Sequence, residues 1–409
     1  DLTGTGNAYT ITVATASVTA AALKTVNDAT TVNVTATAVT AISGTAADLA
    51  DVYGGGITGL GDETVTVSDA QVTASDLKII NAGTTVNVVG TNITQITGSA
   101  ADLADVYDGG VANLGDEGII LTDTTLAAAT LTPTVNNYSS VAINANSVTT
   151  LTGTNAEILA AYTADTAGTV IIDTDAKLSV SDNITFTQAN VLDAKTTGVI
   201  TATISTTAIG DLDDLTGTGN AYTITVATAQ VTAAALKTVN AATTVNVTAT
   251  AVTQITGSAA DLADVYGGGI SNLGDETIVL TDTTLAAATL TPTVNGYSSV
   301  AINANSVTTL TGTNAEILAA YAADTAGTVI IDGDAKLTVS DNITFSEANV
   351  LDAKTTGVIT ATISTTAIGD LDDLTGTGNA YTITVGTAQV TATALKAVDA
   401  ATTVNVTAT

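Results

Sequence analysis

Closely spaced aspartates in turns are the residues of this chain best placed to do chemistry. Asp173-Thr174-Asp175, with Asp182 nearby, returns 159 residues later as Asp332-Gly333-Asp334 with Asp341. Alternate aspartates in a loop offer several oxygens to one calcium ion, although no segment has the twelve-residue EF-hand spacing. Asp211-Leu212-Asp213-Asp214 and Asp370-Leu371-Asp372-Asp373 are equally dense. A second carboxylate group follows glycine: Asp62 and Glu63 after Gly61, Asp116 and Glu117 after Gly115, Asp275 and Glu276 after Gly274. Glycine permits a tight turn in which carbonyl and carboxylate oxygens face one cation. The candidate metal ligands are therefore Asp173, Asp175, Asp182, Asp332, Asp334, Asp341, Asp62, Glu63, Asp116 and Glu117, and calcium is the cofactor they suit. The competing reading is plain solvated turns.

Other chemistries have less to draw on. The chain contains no Cys, Met, Trp or His, and its eight basic residues are all lysine. Thiol catalysis, zinc–thiolate sites and the usual histidine base are excluded. Paired carboxylates serve polysaccharide hydrolases, yet residues 122–213 and 281–372 differ at only six positions, among them Thr163/Ala322 and Gln188/Glu347. Copying that faithful suits a spacer, and an enzyme is not expected. A net charge of −31 disfavours nucleic acid and anionic membranes as partners. No run of 18 apolar residues offers a membrane-spanning helix.

Elements that could position these residues come as repeats. Asp1–Val13 returns at Asp214–Val226 and at Asp373–Val385. A higher-order period of 159 residues contains related units of 54, 59 and 46 residues. Each unit reads as two coils. In 64–110, Thr64-Val65-Thr66-Val67 alternates like a half-buried strand. Thr73-x-x-Asp76 is a capping-box variant before Leu77 and Ile80, and Asn81 is suited to end that helix in the left-handed region. Thr85-Val86-Asn87-Val88 starts a second strand, Ser99-x-x-Asp102 caps a second helix carrying Leu103, Val106 and Tyr107, and Gly109-Gly110 stops it. About sixteen such coils of roughly 21–37 residues are expected.

A coil of this size buries its strand and helix only against neighbours. The expected fold is an α/β solenoid of stacked strand–turn–strand–short-helix coils, forming a parallel β-sheet with a row of short helices. It is expected to be one continuous array over 1–409, with partial periods 1–213, 214–372 and 373–409, cut from a longer protein. Separate modules of about 54 residues are the alternative, disfavoured because so small a core is marginal without staples. Outward Thr10 and Thr12, with Asn33, Asn87, Asn246 and Asn405, would form a hydroxyl and amide grid for ice or a glycan, or simply suit exposed strands. Tyr53, Tyr107, Tyr162, Tyr266 and Tyr321 at helix ends are expected to pack with their hydroxyls near solvent.

The segments GTAADLADVY (44–53), GLGDETVTVSDAQVTASDL (59–77) and LTDTTLAAATL (121–131) resemble tandem repeats of giant cell-surface proteins of marine bacteria, picocyanobacteria in particular. The glycine–aspartate turns, including Gly4-Thr5-Gly6-Asn7, resemble those of RTX adhesins, but they are never tandem and Ala8 stands where an aspartate is expected. The resemblance implies an extracellular, structural, adhesive or motility-linked role and possible calcium dependence. The coil plan is also similar to leucine-rich repeats, without their signature. Together these readings give a structural segment of a surface filament, sheath, layer or adhesin stalk, whose partners are copies of itself, end to end or side by side. The alternative is a calcium-dependent module that binds glycans or ice.

Overall fold

The computed structural model describes residues 6–386 and 388–409, so Gly4 and Thr5 of the first glycine turn lie outside the described residues. The chain divides into two compact units, 1–203 and 204–409.

Within the first unit, coils of nearly constant length stack in parallel. Ser17 pairs with Ala41 and Ala41 with Thr64. Seven residues after Thr64, Gln71 opens the next sheet and pairs with Gln95, which pairs with Gly118. The first sheet runs through the strands Ser17–Thr19, Ala41–Gly44, Thr64–Val67, Val88–Val89 and Val111–Ala112. The second uses Gln71–Thr73, Gln95–Gly98, Gly118–Leu121, Ile143–Ala145 and Val170–Ile172. A third begins at Thr125–Ala127 and continues through Thr150–Gly153 and Lys177–Ile184. The fold is the expected α/β solenoid type, but the strands form several staggered five-stranded sheets instead of one. The 54-residue period is the interval between sheet starts at Ser17, Gln71 and Thr125: two coils plus the step to a new sheet.

The second unit repeats this plan. One sheet joins Gln230–Thr232, Gln254–Gly257, Thr277–Leu280, Ile302–Ala304 and Val329–Ile331. Another joins Thr284–Ala286, Thr309–Gly312, Lys336–Ile343, Ile359–Ile363 and Ala380–Thr382. Lys336–Ile343 pairs with Ile359–Ile363 in two stretches, with an irregularity between Thr338 and Asn342.

The core lies between strand and helix layers, built from alternate strand residues such as Val65 and Val67 and helix residues such as Leu77, Ile80 and Leu103, all buried. Close approach sets the glycines at strand ends. A Cβ on Gly44 would meet Ala20 Cβ of the helix Ala20–Asp28, and Gly98 and Gly257 stand likewise against Ala74 and Ala233.

Helix starts follow the sequence signals. Thr73 and Ser99 accept the N–H of Asp76 and Asp102, each at 3.1 Å. Helix ends and some strands differ from expectation. Asn81 does not end its helix, which runs Ala74–Gly83; its side chain instead accepts the Gly110 N–H of the next coil at 2.9 Å. The strand expected over 85–88 is Val88–Val89, with Val86 exposed. In the coil after Thr125–Ala127, Pro133 lacks a donor and Thr132 is extended, so short irregular turns replace the α-helix.

Candidate functional site

The carboxylates fall into three structural environments. First are the glutamates after glycine. The alternation of Thr64–Val67 puts Val65 and Val67 inside, and the same parity turns Glu63 inward and Asp62 outward. Glu63, Glu117 and Glu276 have no exposed surface. Tyr53 donates its hydroxyl to Glu63 Oε2 (2.9 Å), and Gly61 N–H donates to Oε1 (2.6 Å). Tyr107 and Gly115 hold Glu117, at 3.0 and 2.8 Å. Tyr266 and Gly274 hold Glu276, both at 2.9 Å to Oε2. The next coil completes each arrangement: Thr84, Ser139 and Ser298 donate their hydroxyls to the backbone carbonyls of Glu63, Glu117 and Glu276, at 3.1, 2.6 and 2.6 Å.

These tyrosine hydroxyls therefore do not lie near solvent as expected. Burial, reinforced by the facing glutamate, pushes the Tyr53, Tyr107 and Tyr266 hydroxyls well above the usual tyrosine range. Tyr107 stacks on Tyr138 and Tyr266 on Tyr297, each with ring centroids 4.6 Å apart. Tyr53 instead faces Gly83, where a Cβ would strike its ring. Glu63 and Glu117 are thus turned into the core, Glu63 with a donor on each oxygen and Glu117 with both donors on Oε2 and its buried Oε1 unpaired, while Asp62 and Asp116 stay exposed.

Second are aspartates that cap a helix in the preceding coil. Asp69, Asp123 and Asp282 accept the first N–H of the helices beginning at Ala46, Ala100 and Ala259, at 2.6, 2.8 and 2.8 Å. Asp182 and Asp341 do the same for Asn155 and Asn314, both at 2.8 Å. A negative group there satisfies an otherwise orphaned donor and complements the helix dipole. Asp182 and Asp341, read from sequence with the neighbouring turns, so have a coil-to-coil role that spacing alone did not show.

Third are the turn aspartates. Asp175 and Asp334 are exposed, Asp173 and Asp332 half-buried. Asp334 N–H reaches Asp332 Oδ1 at 3.4 Å, an Asx-type turn. Among the described residues, no three His, Cys, Asp or Glu side chains converge in a metal-like group.

Two further inter-coil devices were missed from sequence. Thr40, Thr94 and Thr253 each donate both N–H and hydroxyl to one carbonyl of the preceding coil, those of Ala16, Ala70 and Ala229. The signal was the recurrence of threonine or serine about two dozen residues after a turn. Lys24 pairs with Asp51, Lys78 with Asp102 and Asp105, and Lys237 with Asp261 and Asp264, linking successive helices. The Lys78 hydrogen bond, followed by that of Ser99, holds the Asp102 carboxyl below its ordinary range. Asn33, Asn87, Asn246 and Asn405 are exposed, as are Thr10 and Thr12.

No family model matches the chain, and no curated protein matches its sequence.

Proposed function

We propose that this chain is a structural repeat segment of a long extracellular surface protein, a filament, sheath, surface layer or adhesin stalk. The observation that carries the reading is the use of polar residues between coils. Threonine hydroxyls, capping aspartates and lysine–aspartate pairs each join one coil to the next at repeating intervals. A coil that carries its own fasteners extends a structure by being copied. The acidic side chains left on the surface keep such a structure hydrated and oppose non-specific association. Partners on this reading are further copies of the same repeats, end to end or side by side.

The test is to treat intact cells that make the protein with a protease that cannot enter them. Release or loss of this segment supports the reading. Full protection until the cells are broken would refute it.

A further inference from the structure

We propose that one inward strand residue, matched to the end of the helix before it, selects which kind of coil can pack as a neighbour. A shared bond identifies the strand position. Hydroxyls of the following coil donate to the backbone carbonyls of Glu63, Glu117 and Glu276. In the same way Thr196 and Thr355 donate to the carbonyls of Ala176 and Ala335, both at 2.6 Å, and Thr243 and Thr402 to those of Tyr222 and Tyr381, both at 2.7 Å. The seven acceptors are structural equivalents, and none is more than 1% exposed.

Glutamate, tyrosine and alanine each have their own counterpart at this position. Ten residues before Glu63, Glu117 and Glu276 stand Tyr53, Tyr107 and Tyr266, whose hydroxyls they accept. Ten residues before Tyr222 and Tyr381 stand Leu212 and Leu371, fully buried at the last position of the four-residue helices Ile209–Leu212 and Ile368–Leu371. The tyrosine has changed sides. Where the helix end brings one, the strand has none; where the helix ends in leucine, the strand supplies it. Ala176 and Ala335 follow Tyr162 and Tyr321 of the longer helices Asn155–Thr166 and Asn314–Thr325. Burial raises both of these tyrosine hydroxyls, and Thr196 and Thr355 act against that rise. Those are the threonines bonded to the Ala176 and Ala335 carbonyls, so the tyrosine again reaches the strand position, here beside a methyl group.

A wrong neighbour is penalised in either direction. A tyrosine-bearing helix set before Tyr222 or Tyr381 would bring two rings to one place, and close-packed cores tolerate added bulk poorly. A leucine-ended helix set before Glu63 would leave a fully buried carboxylate short of a donor. Selection of a partner rests as much on such costs as on the contacts of the right one. The repeated strand and capping patterns would otherwise let coils pair out of order, because similar strands specify their partners weakly. This selection holds wherever the protein works, so its failure would leave the proposed location untouched.

Paired substitutions in the whole chain test it. Tyr53→Leu with Glu63→Tyr converts that junction to the kind found at Leu371 and Tyr381, and amide exchange over Ala46–Gly54 and Thr64–Val67 reads it directly. Each single substitution should speed exchange there about tenfold or more, and the double should recover most of the lost protection. Leu371→Tyr with Tyr381→Glu is the converse exchange, read over Ile368–Leu371 and Ala380–Thr382. Recovery in both doubles is the expected result. A double no better protected than its worse single at either junction, through local opening or failure to fold, would overturn the proposal.

Discussion

A glutamate with no exposed surface is held by the donors around it. For Glu63 these are the Tyr53 hydroxyl and the Gly61 N–H. Tyr53→Phe removes one donor and keeps the ring, so it should cost about 1–3 kcal/mol; urea unfolding with an unchanged midpoint would contradict this. The same tyrosines set an alkaline limit. Their folded-state values are raised, so their contribution is complete below the unfolded value of about 10. Above that pH the unfolded chain loses protons that the folded chain keeps, and stability falls. Thermal melting between pH 8 and 11 should show a decline that begins near pH 10 and is reduced in Tyr53→Phe. The Glu63 arrangement was partly legible in the sequence. Glycine before a carboxylate marked a turn, but the choice between solvent, cation and core rested on the strand parity shared with Val65 and Val67, and on a tyrosine ten residues earlier.

Helices and strands here are held by neighbouring coils more than by their own propensity. Most helices have only 8–12 residues, such as Ala100–Tyr107 with 8 and Asn155–Thr166 with 12, lengths that are marginal in isolation. Leu103 is fully buried between layers. Leu103→Asp would place an unpaired carboxylate there and should cost several kcal/mol, about 3–5; an unchanged melting temperature would put Leu103 outside the core. Asp123→Ala removes a cap given from one coil to the helix Ala100–Tyr107 of the preceding one. It should cost about 1 kcal/mol, seen as faster amide exchange in the first turn of that helix and nowhere distant. Local signals marked helix starts well, because Thr73 and Ser99 bond within three residues. Helix ends and sheet membership depended on other coils: Asn81 is drawn to Gly110, and Val88–Val89 is held in the first sheet by the pairing of Thr66 with Val89. Such distant partners leave little trace in a local pattern.

At the scale of the whole molecule, charge and repetition decide the behaviour. Thirty-nine acidic residues face eight lysines, so net repulsion outweighs the few exposed lysine–aspartate pairs, each worth about 0–1 kcal/mol. Raising sodium chloride from about 0.01 to 0.15 M shortens the screening length from about 30 to 8 Å and should raise the melting temperature; a fall would mean that the lysine pairs dominate. The repeat was visible in the sequence from its first recurrence, and with it the solenoid class, because self-similarity needs no partner to be seen. On the proposed function, this chain is structural material outside the cell. The most direct test is immunogold electron micrography of intact cells, using antibody to this segment. Label is expected along extended structures beyond the cell envelope. Label confined to the cell interior, appearing only after permeabilisation, would contradict it.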